Sequence, residues 1–369
     1  MKKGLWVLIL ALLSVAYSVA DSSAADEAIA KGVKISGFVD LYYSYNFNNP
    51  DSRKNGVGTN FDFEHNTFSL NLAELVVSKT AEPVGFRIDL DFGPTTDFVH
   101  CVDTDCTDAS AGTDEGTFKN IQQAYLTWAT PTGVTLDFGK FVTHMGAEVI
   151  ESKDNWNYTR GLLFCCAIPY YHAGLRANLP INNMIFVNGY LYNGWNNVVE
   201  NNGTKTFGAQ VGITPIPQLP IILSWIGPED FPGVSSGRQV YEAIVSYNAT
   251  DTLSFMVDYN YGTQDSLAGA SQKYSGIAAY AKWKQDPYTL ALRYEIADDK
   301  DNAMFGGTTA DGNKIQEITL TAERTIAGSL LTRLEYRMDM SDDKIYEDKD
   351  GKFIEDSQSR VVLGFVYMF

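Results

Sequence analysis

Residues 86–92 read FRIDLDF, with charged side chains at the odd positions and apolar side chains at the even ones. Successive side chains of a β-strand point to opposite faces, so this period of two predicts a strand with one charged and one apolar face. The same alternation occurs at residues 252–261, 288–296, 330–338 and 360–369. Each segment has about ten residues, which is the length of a tilted strand that crosses a membrane. The sequence therefore predicts an all-β fold whose strands separate two unlike environments.

The predicted connections between strands alternate in length. Short joints fall near residues 81–83, 131–133, 180–183, 215–218, 249–251, 286–287 and 326–328. Longer polar stretches fall near residues 48–60, 94–117, 143–170, 194–204, 227–237, 263–271, 298–313 and 339–356. Seven short and eight long connections give about 16 strands, with both termini on the short-turn side. This layout predicts a transmembrane antiparallel β-barrel with short periplasmic turns and long external loops.

The strand number has a range of 14–18, because alternation is weak near residues 61–80, 184–193 and 205–226. A secreted β-sandwich is the alternative fold, but it does not explain the regular change between short and long connections. The mean hydropathy of −0.15 fits a barrel, since apolar residues facing lipid and polar residues facing water average to neutral.

Composition excludes several classes of protein. The chain has 369 residues, of which 45% are hydrophobic, too many for a disordered polymer. Its formal net charge is −17 and no run of Lys or Arg is present, which opposes nucleic-acid binding.

The amino terminus predicts an exported protein. Lys2 and Lys3 precede an apolar stretch at residues 5–16, and small residues suited to cleavage occur at 18–20 and at 23–25. We therefore expect a cleaved signal peptide at residues 1–20, or as far as residue 25, and a short periplasmic segment at 21–32. The barrel is expected at 33–369, in the outer membrane of a bacterium.

Five stretches resemble a known family. Residues 36–50 (SGFVDLYYSYNFNNP), 139–148 (GKFVTHMGAE), 155–160 (NWNYTR), 167–174 (AIPYYHAG) and 193–197 (NGWNN) are similar to the β-barrel porins of the OmpL-like family. The resemblance implies an outer-membrane barrel with a porin-like role, and it names no substrate. The adjacent Cys165 and Cys166 do not belong to the family pattern.

The third external loop, residues 143–169, is the predicted constriction, because the corresponding loop of general porins folds into the barrel. Its acids Glu148, Glu151 and Asp154 would then face the wall. The opposing basic residues are Arg293, Arg333, Arg337 and Arg360. Opposed charges would create a transverse field that orients polar solutes. In the alternative interpretation the acids cap the loop, and the arginines pair with neighbours such as Glu295 and Glu335.

Much of the negative charge lies in two predicted external loops, 94–117 and 339–356, so net charge indicates only a weak cation preference in the pore. Residues 348–351 (DKDG) resemble part of an EF-hand. That interpretation fails, because Tyr346 and Ser357 occupy ligand positions.

The four cysteines permit three pairings in an oxidising compartment. We expect a bridge between Cys101 and Cys106, because a bridge between the adjacent Cys165 and Cys166 is strained. A cross-link between the second and third loops is the alternative. The scattered histidines predict no metal site, and no cofactor or catalytic group is expected. The terminal Phe369 resembles the signal recognised by the barrel assembly machinery.

The sequence thus predicts a passive channel for small hydrophilic solutes or ions. Its expected partners are outer-membrane lipid, the assembly machinery and two further copies in a homotrimer, with no nucleic acid. The competing hypothesis is a non-conducting barrel, either an adhesin or the sheath of an electron-transfer conduit.

Overall fold

The computed structural model describes residues 32–101, 118–231, 234–265, 270–305 and 312–369. The predicted signal peptide lies outside the described residues. Sixteen strands form a closed antiparallel barrel, so the predicted fold and strand number are confirmed. No helix in these ranges is long and apolar enough to cross a membrane.

The elements follow one another in chain order, with the barrel strands β1–β15 and β18 and a two-stranded hairpin β16–β17. The strands are β1 (Val33–Asn46), β2 (Thr67–Lys79), β3 (Val84–Phe92), β4 (Ile121–Ala129), β5 (Thr135–Val142), β6 (Tyr171–Asn182), β7 (Ile185–Tyr192), β8 (Thr206–Ile213), β9 (Ile221–Phe231), β10 (Val234–Asn248), β11 (Leu253–Asp265), β12 (Ser271–Gln285), β13 (Tyr288–Asp299), β14 (Asn313–Ile326), β15 (Leu330–Ser341), β16 (Tyr346–Glu347), β17 (Phe353–Glu355) and β18 (Ser357–Met368). Among the described residues, a helix α1 (Pro94–Cys101) lies in the second loop and a helix α2 (Leu162–Cys166) in the third.

Each barrel strand pairs with its neighbours in the chain, and β1 pairs with β18 to close the sheet. The start of β1 and the end of β18 lie on the short-turn side, where the Met368 amide donates to the Ser329 carbonyl oxygen in the turn between β14 and β15 at 2.9 Å. Closure leaves the sheet without an edge, so the backbone of every strand finds its partners within the barrel.

One predicted loop is corrected. Residues 227–237 were expected to form a long connection, but β9 extends to Phe231 and β10 begins at Val234. Pro228 and Gly237 are turn-forming residue types, yet the hairpin continues past them through register shifts next to Arg238. Such bulges admit residues that a regular ladder excludes.

The two faces of the barrel differ as the alternation predicts. Ile88 is exposed on the outer face, whereas Asp89 and Asp91 are buried on the inner face. Exposed aromatic side chains on the outer surface include Trp128, Trp283, Tyr288 and Tyr367 near the short-turn ends of their strands, and Tyr294 and Tyr336 nearer the middle. This distribution resembles the aromatic girdles of membrane barrels.

Candidate functional site

The third loop, residues 143–170, connects β5 to β6 and contains a 3-10 turn at Ser152–Asp154 as well as α2. Many of its polar contacts are with inward-facing residues of distant strands. The carbonyl oxygen of Ser152 accepts a hydrogen bond from Arg333 at 2.5 Å, and Arg333 is the fourth residue of β15 after a short turn. The loop therefore lies inside the lumen and reaches towards its short-turn end.

Four buried arginines project inwards from the neighbouring strands β13, β15 and β18, and we call them the arginine wall: Arg293, Arg333, Arg337 and Arg360. Arg293 joins the loop to two strands. Its guanidinium lies 2.6 Å from Glu148 Oε1 and 2.6 Å from the Thr159 carbonyl oxygen, both in the loop. It also donates to Glu317 of β14 at 2.6 Å. Its charge is thus compensated on both sides.

Two arginines of β15 hold the backbone of the loop. Arg333 donates to the carbonyl oxygens of Ser152 and, at 2.8 Å, of Asn155. Arg337 donates to the carbonyl oxygen of Arg160 at 2.5 Å. A guanidinium has five donors in a fixed plane, so each arginine can bind the loop and a wall carboxylate at once.

Wall carboxylates bind the amide groups of the loop. Glu335 of β15 accepts hydrogen bonds from the Tyr158 amide at 2.6 Å and from the Thr159 amide at 3.0 Å. On the other side of the barrel, Glu242 of β10 accepts one from the Gly146 amide at 2.7 Å. The loop is therefore fixed at both sides of the lumen by charge-assisted hydrogen bonds.

Small residues make room for the inserted loop. A Cβ atom at Gly364, on the inner face of β18, would collide with the ring of Tyr158. A Cβ atom at Gly161 in the loop would collide with the Glu295 carboxylate, which also accepts a hydrogen bond from the Leu162 amide. Tyr158 is fully buried, so the loop packs as tightly as a protein core.

The first loop, residues 47–66, covers the third from the external side. Arg360 pairs with Asp62 of this loop at 2.8 Å and with Asp339 of β15 at 2.8 Å. The carbonyl oxygen of Gly58 accepts a hydrogen bond from Arg337 at 2.8 Å. Two external loops thus share the arginine wall.

The structure brings together only part of the predicted constriction. Glu148 meets Arg293, but Glu151 and Asp154 do not pair with the arginines. Asp154 is exposed and lies 2.5 Å from Lys153. The reason is that Arg333 and Arg337 bind carbonyl oxygens of the loop, which leaves no place there for its acids. In the alternative interpretation the arginines pair with neighbouring wall acids such as Glu295 and Glu335. That pairing is also only partly formed, since Arg293 lies 4.0 Å from Glu295.

Two residues of the quoted motifs hold the loop, although the sequence analysis assigns them no role. Asp40 of β1 accepts hydrogen bonds from the Ser152 hydroxyl and the Tyr158 hydroxyl, each at 2.7 Å. Arg160 is buried and donates to the carbonyl oxygens of Tyr158, at 2.7 Å, and Ile150. Alternation along β1 places Asp40 on the inner face, but no sequence signal identifies its partners.

A second group of charges lies on β2 and β3, and we call Glu74, Asp89 and Asp91 the carboxylate face. All three are buried and point inwards. Asp89 accepts hydrogen bonds from Arg87 at 2.9 Å and from Gln123 at 2.5 Å. Glu74 and Asp91 lie directly opposite each other in the sheet. Unlike the arginine wall, this face makes no hydrogen bond to the third loop among the described residues.

Cavities lie on both sides of the third loop. The external cavity has a volume of about 410 Å³, and its walls include Phe98, Tyr170 and Trp195. The cavity on the short-turn side has a volume of about 740 Å³, and its walls include Glu74 and Lys153. Both volumes are within the range of small-molecule sites.

The cysteines pair differently from the expectation. Cys165 and Cys166, at the end of α2, form a disulfide bond, so the bridge between adjacent residues that the sequence disfavoured is present. The predicted bridge from Cys101 to Cys106 lies outside the described residues. The cross-link between the second and third loops is excluded for Cys165 and Cys166, since each is the other's partner.

Other predicted features have simple structural roles. Within the described ranges, no group of three or more His, Cys, Asp or Glu residues is spaced to hold a metal ion. Asp348, in the rejected EF-hand segment, accepts hydrogen bonds from the Asp350 and Lys352 amides, and these lower the pKa of its carboxyl group. The side chain of Phe369 is exposed, and its backbone pairs with Gly37 at 3.0 Å.

A closed 16-stranded barrel whose third loop enters the lumen is the architecture of the porins, and solved structures of porins match it. An anion-selective porin from Comamonas acidovorans is 12% identical, with a TM-score of 0.59 over 91% of this chain and 99% of that chain. The channel DcaP of Acinetobacter baumannii is 14% identical, with a TM-score of 0.57 over 91% and 97%. Salmonella typhi OmpF in complex with daunomycin is 10% identical, with a TM-score of 0.57 over 92% and 99%. At these identities the likeness shows the fold alone.

The family follows from a sequence match. Residues 32–369 match the family described as "Putative beta-barrel porin-2, OmpL-like", and the chain belongs to that family. The resemblance noted from the five motifs is therefore confirmed. No curated protein matches the sequence.

Proposed function

We propose that this protein is a passive diffusion channel for small hydrophilic solutes or ions in the bacterial outer membrane, with the third loop as its constriction. One observation carries the proposal: the loop crosses the lumen and is held by residues of β1, β10, β13 and β15. A loop fixed in this way narrows the lumen by a constant amount. Opposed charges at such a point set ion preference.

The family and the fold support a channel over an enzyme. The anion preference of the Comamonas porin belongs to that protein, because a likeness at 12% identity does not transfer selectivity. We also propose a homotrimer, in line with the trimer form of Vibrio cholerae OmpT, another similar structure. Outer-membrane lipid would cover the apolar belt.

Export and assembly complete the proposal. Residues 1–20, or as far as 25, would be removed as a signal peptide, and residues 21–32 would remain in the periplasm. Phe369 would serve as the recognition signal for the assembly machinery, since its side chain is exposed at the end of the last strand.

Reconstitution in a planar lipid bilayer tests this function. We expect stable open conductance, with a reversal potential in a salt gradient that reports the ion preference. The triple variant Glu148→Gln, Glu151→Gln, Asp154→Asn should shift that potential towards anions, because it removes three negative charges from the loop.

Two outcomes would contradict the proposal. Unchanged selectivity and conductance in the triple variant would show that the acids of the loop do not contribute to the constriction. A silent barrel that co-purifies with another protein would favour the adhesin or the electron-transfer sheath. An external variant that also loses three acids, Asp342→Asn, Asp343→Asn, Glu347→Gln, controls for charge outside the lumen.

A further inference from the structure

The external cavity lies where several external loops converge. Its walls include Phe98 of the second loop, Tyr170 of the third loop and Trp195 of the connection between β7 and β8. Gln264 at the end of β11 and Phe305 in the connection after β13 also line it. The cavity is therefore at the external mouth of the barrel, on the outer side of the proposed constriction.

Two of the five stretches that resemble the porin family contribute to this cavity. Tyr170 belongs to residues 167–174, and Trp195 belongs to residues 193–197. The proposed constriction gives neither side chain a role, so both motifs are open to another explanation.

The aromatic part of the wall is held in place by hydrogen bonds. The hydroxyl group of Tyr170 donates to the Cys165 carbonyl oxygen at 2.7 Å, and its ring packs against Phe98 with centroids 6.2 Å apart. The hydroxyl group of Tyr274 donates to the Ala167 carbonyl oxygen, also at 2.7 Å. These rings are fixed before any solute arrives, so binding does not have to order them.

Two polar groups on the wall are open to a solute. The indole N–H of Trp195 and the side-chain amide of Gln264 make no hydrogen bond to another described residue. Neither group belongs to the buried atoms that lack a partner, and both residues line the cavity. An N–H donor and an amide with both donors and an acceptor suit hydroxyl groups, which donate and accept.

The cavity has little net charge to attract an ion. Arg238 is the one charged side chain among the described residues that line it, and its guanidinium lies 4.7 Å from the centroid of the Trp195 ring. Glu229 is directly opposite Arg238 in the ladder of β9 and β10, and the two charges act on each other. Opposite charges in this position offset each other, which favours a neutral solute over an ionic one.

We propose that the external cavity binds a neutral pyranose sugar whose hydroxyl groups are equatorial. Such a ring presents C–H groups on both faces, and these pack against the negative face of an aromatic ring such as Trp195. Its hydroxyl groups form hydrogen bonds with the Trp195 indole N–H and the Gln264 amide. The volume of about 410 Å³ is in the range of small-molecule sites. The inference rests on the proposed function and deepens it, since the sugar is then a solute that approaches the constriction from outside.

Three probes separate a pyranose site from other kinds of site. Cellobiose has pyranose rings with equatorial hydroxyl groups, sorbitol has hydroxyl groups and no ring, and benzoate has a flat ring with a negative charge and no hydroxyl group. Titration calorimetry uses the full chain folded in lauryldimethylamine oxide, a detergent without a sugar head group. Cellobiose should bind, and sorbitol should bind at least about tenfold more weakly because it cannot stack.

Substitutions locate the site. Trp195→Ala should weaken cellobiose binding by at least about tenfold, and Trp195→Phe, which keeps an aromatic ring but not the N–H group, should lose less. Gln264→Ala should weaken it by about threefold through the lost hydrogen bond. Trp128→Ala is the matched control, because Trp128 is exposed on the outer face of the barrel and its variant should bind as the wild type does. Retention of the heat-modifiable band in gel electrophoresis confirms that each variant is folded.

Four results would overturn the inference: no binding of cellobiose to the wild type, equal binding of sorbitol, tighter binding of benzoate than of cellobiose, or equal loss of binding in the Trp128 and Trp195 variants. Binding is measured without a current. A silent barrel that binds cellobiose would contradict only the proposed channel, and a conducting barrel that does not bind it would contradict only this inference.

Discussion

The arginine wall and the carboxylate face both place buried charge in the lumen, but they treat it in opposite ways. Arg293 has partners in the loop and in the wall, at Glu148 and Glu317. Asp91, by contrast, lies opposite another acid, Glu74, and makes no ion pair among the described residues. Charge that is paired across the lumen fixes the third loop in place, whereas the charge of the carboxylate face makes no hydrogen bond to that loop among the described residues. Burial alone does not distinguish the two roles.

The largest expected effect comes from breaking the paired region. Arg293→Met leaves Glu148 buried without its cation and Glu317 with Arg337 alone, 3.3 Å away, and we expect a loss of about 3–5 kcal/mol in the free energy of unfolding. Urea titration of the folded protein in micelles measures this change. The outward-facing, exposed Arg324 provides the control, since Arg324→Met should change stability by less than about 0.5 kcal/mol. Equal effects of the two variants would show that Arg293 does not hold the loop.

A smaller loss is expected where the loop meets a glycine. Gly364→Val places side-chain atoms in the position of the Tyr158 ring, and overpacking of this kind costs about 1–3 kcal/mol. Gly189→Val on β7 is the matched control, because nothing lies within 4 Å of the Cβ position there. Thermal unfolding followed by circular dichroism compares them. If Gly364→Val unfolded at the same temperature as its control, Tyr158 would not pack against β18.

The carboxylate face should respond with the opposite sign. Asp91→Asn removes one of two opposed negative charges and should raise the free energy of unfolding by up to about 1 kcal/mol. The same urea titration applies. A destabilisation comparable with that of Arg293→Met would mean that the charge of Asp91 is needed for the fold, and the contrast between the two regions would fail.

The disulfide bond should matter least. Cys165 and Cys166 are adjacent, so their bond closes almost no loop and constrains the unfolded chain little. We expect the double variant Cys165→Ala, Cys166→Ala to change stability by less than about 1 kcal/mol. Thermal unfolding without reductant measures the difference and leaves the other two cysteines unchanged. A larger loss of stability would show that this disulfide bond holds α2 in place.

Alternation predicts the barrel because every strand has lipid on one side and polar groups on the other. The alternation of polar and apolar residues is weak along β7 and β9 for a physical reason. Their inward residues include the buried Tyr190, Tyr192 and Ile226, and His144 of the third loop stacks on Tyr190 at 4.1 Å. The lumen there contains protein rather than water, so apolar residues occur on both faces of the strand.

The contacts of the third loop are beyond sequence reasoning. Glu335 and Tyr158 are 177 residues apart, and neither the period of a strand nor the length of a loop indicates that they meet. The sequence places acids in the loop and arginines on the wall. The sequence cannot show that the arginines bind carbonyl oxygens of the loop. Every residue has a backbone carbonyl group, so this kind of contact produces no recognisable pattern of residue types.

Single-channel conductance of a loop deletion tests the central claim most directly. Residues 147–160 contain the segment that crosses the lumen, and a short glycine linker can replace them without altering any strand. If the loop is the constriction, the deletion variant should conduct several times more current than the wild type and lose most of its ion preference. Unchanged conductance and selectivity in a correctly folded variant would contradict the account.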